Sequence, residues 1–337
     1  MKLITILLMS IFLSATYGQD FKITKQIEVP GSGGWDYLTV NEPAQQLYVS
    51  HGSVVNVIDL KSDKIIATIP DTNGVHGITI ANDFDKAFIT DGKDNTVTII
   101  KLSTFELIEK VPIQGIKPDA VLYDSFSGKV FVYNAGSNNV TVLDAHTNKV
   151  ISIIPFDGNP EFSVTNKKGL VYVNIEDKSE IKVIDTKTLK VTKTFSLAPG
   201  EEPSGLAIDL AENKLFSVCS NKMAIVLYAK NGKIIQTLPI GDGCDGVSFD
   251  SKKKLIFTSN GEGNITVIKQ ESNNKYKVVQ TLKTQLGART ITLNKNTGTL
   301  YLSVSDFGKK PEPTPENKSP RSPIIPDTFK ILVIDQI

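Results

Sequence analysis

Arginine is nearly absent from this 337-residue chain: Arg289 and Arg321 are the two it has. Lysine supplies the other basic side chains, and 37 basic against 36 acidic residues leave a formal net charge of +1. A nucleic-acid or anionic-membrane surface needs clustered basic groups, and the two-pronged contacts to phosphate and guanine need arginine. Nucleic acid is therefore not expected as a partner. Tryptophan occurs once, at Trp35, histidine three times and cysteine twice, at Cys219 and Cys244. No apolar run approaches the roughly 20 residues of a membrane-spanning helix. Hydrophobic residues make up 40% and charged residues 22%, a composition that excludes wholesale disorder.

The longest apolar run, residues 3–13, follows Met1-Lys2 and precedes Ser14-Ala15-Thr16-Tyr17-Gly18. One positive charge, a short apolar stretch and a small-residue exit describe a secretory signal peptide. The expected division is a signal peptide at 1–18, cut after Gly18, and a mature chain at 19–337 that is periplasmic or secreted. In an oxidising compartment, Cys219 and Cys244 are candidates for one disulfide; two free thiols are the alternative.

A short apolar segment recurs along the chain: Val55-Asn56-Val57-Ile58-Asp59, Val97-Thr98-Ile99-Ile100-Lys101, Val140-Thr141-Val142-Leu143-Asp144 and Ile181-Lys182-Val183-Ile184-Asp185. Further copies are Ile225-Val226-Leu227-Tyr228-Ala229, Ile265-Thr266-Val267-Ile268-Lys269 and Ile331-Leu332-Val333-Ile334-Asp335. Five steps from Asp59 to Lys269 give a mean period of 42 residues. A period of about 40–45 residues with four short strands, A to D, marks a β-propeller blade. The expected fold is all-β, a seven-bladed β-propeller with four antiparallel strands per blade. The last blade ends after its C strand, so an N-terminal strand beginning at Phe21 is expected to complete it and close the ring.

Leu47-Tyr48-Val49-Ser50, Val171-Tyr172-Val173-Asn174 and Leu300-Tyr301-Leu302-Ser303, each followed by a copy of the recurring segment, resemble the YVTN family of β-propellers. The likeness spans the mature chain and is nearest to the exported YncE-like group. It implies a propeller fold. It implies little about activity, because propellers host binding, scaffolding and several chemistries. A WD40 signature and a Cys-x-x-Cys-His haem site are both missing.

Strand alternation brings the D-to-A and B-to-C connections to one end of the ring. Before the A strands stand Trp35, Asp36, His76, Asp119, Glu161, Ser204, Asp245 and Arg289. After the B strands stand His51, Asp91, Asn134, Asn174, Glu176, Asn260 and Asp306. These are the candidate ligand-binding residues of a channel mouth, although Asp and Asn are also ordinary turn residues. Both cysteines fall at the same end, while His146 lies on a C–D turn at the other. Asp36, His76, Asp119, Glu161 and Asp245 are candidate ligands for a divalent cation: oxygen ligands suit Ca²⁺ or Mg²⁺, and a histidine suits a metal such as Zn²⁺. No nucleophile can be paired with a base, and no catalytic residue is assigned.

Residues 307–328, with six prolines, form a long B-to-C insertion in the last blade, expected as a lid or docking arm. The function these features favour is an exported, monomeric binding or scaffold protein that takes a small molecule or an exported protein at the mouth. The alternative is a divalent-metal-dependent hydrolase or lactonase using the acidic ring.

Overall fold

Runs of three to nine residues rich in Val, Ile, Leu, Tyr and Phe alternate with turns along the chain, and each run is a strand. The computed structural model describes residues 20–314 and 317–337; the proposed signal peptide lies outside them. The described residues form seven four-stranded antiparallel sheets, with two short 3-10 turns and no α-helix. Blades 1 to 6 run in simple A-B-C-D order. Their A strands are Leu38–Asn41, Val75–Ala81, Pro118–Asp124, Pro160–Thr165, Pro203–Asp209 and Cys244–Asp250. Blade 7 takes its A, B and C strands from Ile291–Leu293, Leu300–Val304 and Lys330–Gln336, and its outer strand from the N-terminal Phe21–Glu28.

That last pairing closes the ring as expected. Phe21 lies opposite Gln336 and Glu28 opposite Lys330. Each A strand touches the A strands of both neighbouring blades, and the first meets the seventh. Two of the C–D turns use residues that tolerate positive φ: Asn148 (φ 64°) and Gly232 (φ 72°). At Gly232 a Cβ would also sit 2.4 Å from Phe195 Cγ, so the turn needs glycine for space as well as conformation.

The core consists of seven apolar clusters between successive blades. One joins Tyr48, Val55 and Val57 of blade 1 to Ile78, Ile89 and Ile100 of blade 2. The B and C strands have neighbours on both faces, so even their polar residues are enclosed: Asn56, Thr98, Thr141 and Thr266 are buried. The D strands form the rim and keep apolar side chains partly in solvent, including Ile66, Leu107 and Ile151. A central channel of about 410 Å³ runs between the A strands.

Candidate functional site

Strand registers define an equivalent position in every blade. Leu38, Ile78, Val121, Ser163, Leu206, Val247 and Ile291 each pair two residues short of the B-strand end, opposite Val49, Ile89, Val132, Val173, Ser217, Thr258 and Leu302. Two residues earlier in each blade stand Asp36, His76, Asp119, Glu161, Ser204, Asp245 and Arg289. The ring at the mouth is thus one residue per blade in one register: four carboxylates, an imidazole, a guanidinium and a hydroxyl.

The position between the ring residue and the paired anchor residue explains how the axis is filled. It holds Gly77, Ala120, Gly205, Gly246 and Thr290, but Tyr37 in blade 1 and Phe162 in blade 4. The small residues are required by close approach of neighbouring blades: a Cβ on Gly77 would lie 2.7 Å from Asp119 O, and one on Gly205 would lie 2.9 Å from Val247 N. The two aromatic rings meet across the axis at 5.4 Å and line the top of the channel. They stand between the polar mouth and the channel beneath it, whose lining mixes apolar with hydroxyl and charged side chains. Nothing in the repeat alone singled out these two rings; the signal was their size in a register otherwise held by small residues.

Side-chain hydroxyls and one amide hold the ring backbone, most of them from the neighbouring blade. The Asp36 N–H donates to Ser50 Oγ at 2.9 Å, and Thr90 Oγ1 donates to Asp119 O at 2.5 Å. Asn174 Nδ2 donates to Ser204 O at 2.8 Å, Ser204 Oγ to Cys244 O at 3.0 Å, and Thr290 Oγ1 to Asp36 O at 2.8 Å. Ser259 Oγ donates to Arg289 O. These bonds fix the main chain at or next to ring residues from neighbouring strands, which pre-organises the mouth.

The ring divides into two halves that share Asp36. On one side His76 Nδ1 lies 2.6 Å from Asp36 Oδ2 and 3.6 Å from Asp119 Oδ1. A Cβ on Gly92 would come within 2.8 Å of His76 Cδ2, so that glycine makes room for the imidazole. On the other side Arg289 Nε sits 2.9 Å from Asp245 Oδ2, as an ion pair rather than a directed hydrogen bond. Arg289 Nη2 is 3.9 Å from the other oxygen of Asp36. Glu161 stands between the halves.

The electrostatics follow from burying like charges together. Burial, then the Asp119, Glu176, Asp245 and Asp36 carboxylates, push Glu161 up to about 9, so at neutral pH it is an uncharged acid. Burial first and Asp36 next raise Asp119, against the pull of His76. Burial raises Asp245, and Arg289 offsets part of that rise. For His76, burial works against the charged form, but the Asp36 hydrogen bond and the charges of Asp119 and Asp36 outweigh it, so the imidazole is held above its ordinary value. Burial and the surrounding carboxylates raise the Tyr37 phenol far above its ordinary value.

The expected residues that end B strands do not join this ring. Asp91 accepts from Thr96 Oγ1 and Thr98 Oγ1 at 2.7 and 2.6 Å. Asn134 donates to Asn139 and Thr141, and Asn260 to Asn264 and Thr266. His51 stacks on Phe329 at 4.3 Å, and burial lowers its pKa. Asp91, Asn134 and Asn260 turn into their own blade, whereas His51 faces Phe329 beside the C strand of blade 7. Asn174 spends its amide on the Ser204 and Gly205 carbonyls. Glu176 accepts from Asn159, and Asp306 from Gln285 and Lys330. Trp35 packs between Phe307 and Phe329 at the base of the insertion, at 5.9 and 5.6 Å.

The disulfide expectation is corrected. Cys219 and Cys244 are both free and buried. Cys219 belongs to the apolar cluster between blades 4 and 5, with its sulfur where a Cβ on Gly200 would be 2.7 Å away. Cys244 belongs to the next cluster, between blades 5 and 6. Each thiol serves as a small apolar filler in a different interface. The insertion is pinned at its base: Phe307 bridges Ile324, Gly308 N–H donates to Pro323 O at 2.8 Å, and Asp327 N–H donates to Gly31 O at 2.9 Å.

Fold and site together define a seven-bladed propeller with a polar-ringed mouth. Among solved structures, the chain is similar to the hydrazine synthase of Kuenenia stuttgartiensis, with a TM-score of 0.71 at 13% identity over 80% of this chain and 92% of that one. At that identity the likeness is one of fold. No family model and no curated protein matches the sequence.

Proposed function

We propose that this chain is an exported binding propeller, YVTN-like and nearest the YncE-like group, that captures a small positively charged ligand at its mouth. The observation that carries the reading is the single-register ring, in which three aspartates and the Glu161 acid face one guanidinium and one imidazole. Desolvated carboxylates with too few counter-charges gain from an incoming cation. Tyr37 and Phe162 add an aromatic floor, and an organic ammonium over such rings gains about 0.5–2 kcal/mol. Export rests on the sequence of residues 1–18, and the family on the repeat motifs.

The alternative, a divalent-metal-dependent hydrolase, would draw on the same acidic ring; Ser204, the hydroxyl of the ring, is committed to the Cys244 carbonyl.

Thermal-shift and calorimetric titrations with tetramethylammonium and spermidine test the reading. A saturable shift in the natural chain, lost in the double variant Asp245→Ala/Glu161→Ala, is expected. A chain that binds neither probe, or that binds them equally well in the double variant, would refute it.

A further inference from the structure

The two halves of the ring are not chemically equivalent. In one, Arg289 already neutralises Asp245. In the other, three donor atoms from three blades converge: Asp36 Oδ2, His76 Nδ1 and Asp119 Oδ1 all lie within 4.8 Å of one another. Asp119 is the unusual member. The residue is 9% exposed and its side chain 12%, and its carboxylate pairs with His76 Nδ1 at 3.6 Å, beyond hydrogen-bond distance. A largely buried carboxylate without a hydrogen-bond donor is costly unless something else satisfies it.

We propose that Asp36, His76 and Asp119 form a binding site for one divalent transition-metal ion, of the Zn²⁺ or Co²⁺ class. The inference rests on the cation-binding reading of the mouth and names its ligand.

Three arguments select the ion class. Metal–nitrogen and metal–oxygen bonds of about 2.0–2.2 Å place adjacent donors roughly 3–3.5 Å apart. The contacts of His76 with Asp36 and Asp119, 2.6 and 3.6 Å, bracket that spacing, so small side-chain rotations accommodate the ion. An imidazole beside two carboxylates favours a transition ion over the all-oxygen preference of Ca²⁺ and Mg²⁺. Three protein donors from one side leave the remaining positions open to the mouth, as in sites that bind an exchangeable ligand.

The site is held by its surroundings. Gly92 clears space for the imidazole. Thr90 holds the main chain of Asp119, while Ser50 and Thr290 hold that of Asp36. Fixing the first set of ligands from a second set is how proteins tune metal affinity. Asp245 and Glu161 are not ligands: the first is taken by Arg289, and the second is absent from the converging set.

The test uses the full mature chain, stripped with a chelator and titrated separately with Zn²⁺, Co²⁺, Ca²⁺ and Mg²⁺. Calorimetry reads stoichiometry, and the visible bands of Co²⁺ report nitrogen–oxygen ligation. Expected are one Zn²⁺ or Co²⁺ per chain, bound about 100-fold or more tighter than Ca²⁺ or Mg²⁺, and a similar loss in His76→Ala and in Asp119→Asn. Asp245→Asn should change Zn²⁺ affinity by no more than about threefold, because it removes a charge without removing a ligand. Asp119→Asn keeps the side-chain shape and decides the matter should His76→Ala unfold the ring, with circular dichroism as the check. Absence of saturable binding to the folded chain, equal affinity for Ca²⁺ and Zn²⁺, or undiminished Zn²⁺ binding by Asp119→Asn would each overturn the site. Organic-cation binding that still depends on Asp245 and Glu161 would then leave the wider reading intact, so the two fail separately.

Discussion

Two sets of residues share one end of this ring and have opposite fates. The residues two before the A-strand anchor point reach the axis, where Asp119 and Asp36 act on the ionisation of Glu161, and Asp36 and His76 on that of Asp119. The residues that end B strands sit one strand further out. Asp91, Asn134 and Asn260 use their side chains to tie the B strand to the C strand of the same blade. Adjacent strands are about 4.8 Å apart, and that single step in radius turns a candidate ligand into a structural tie. Chemical type does not separate the sets, since both contain carboxylates.

The largest expected effect comes from forcing a side chain into the crowded register beside the ring. Gly77→Val would press against the Asp119 carbonyl and Val121 of the next blade. It should destabilise the fold by about 1–3 kcal/mol in urea unfolding, the range for overpacking. Normal stability in this variant would mean that the blades are not locked at the axis.

Asp91 gives a change of the opposite sign. Burial raises its carboxyl to about 6 from 3.8, although Thr98 and Thr96 donate to it. An acid whose folded pKa is raised holds its proton better when folded. Its contribution to stability is therefore fully present below about 3.8 and is lost as pH rises to about 6. At about 1.4 kcal/mol per unit, the loss is about 3 kcal/mol. Asp91→Asn, which copies Asn134 and Asn260 of other blades, should stabilise the chain by about 1–3 kcal/mol at pH 7 and by less at pH 4. Chemical unfolding at both pH values checks this. A destabilised variant at pH 7 would show that the carboxylate has a role beyond tying strands.

Asn134→Ala sharpens the contrast from the structural side. Loss of its bonds to Asn139 and Thr141 should cost about 1–2 kcal/mol and leave Zn²⁺ affinity unchanged, whereas Asp119→Asn should abolish Zn²⁺ binding with little loss of stability. Unfolding curves and calorimetry on the two variants separate the roles. The smallest effect belongs to the proline-rich insertion. Excising residues 310–321 keeps the Phe307–Ile324 bridge and the Gly308–Pro323 hydrogen bond, and should change stability by less than about 1 kcal/mol. A larger drop in the thermal midpoint would show that the insertion braces blades 7 and 1.

Much of the architecture was legible before any coordinates. The 42-residue recurrence marked the blades, and the unmatched strand near Phe21 marked the closure realised in its pairing with Lys330–Gln336. Half of the mouth was legible too, because one residue near the start of each A strand keeps one register. The cysteines misled for a physical reason: sequence placed them at one end of neighbouring blades, but Cys219 and Cys244 face different interfaces. Tyr37 and Phe162 escaped notice because a blade period does not say which positions meet across an axis.

The order of residues along the chain determined the number of blades, the direction of every strand and the end at which the polar side chains gather. These depend on local pattern and on a period that repeats. Only the tertiary structure decided which polar groups meet, because that depends on radius from the axis and on distances across it. Asp36 and Asp119, separated by two blades of sequence, contact one imidazole, while Asp91, carrying the same chemical group, remains within its own sheet.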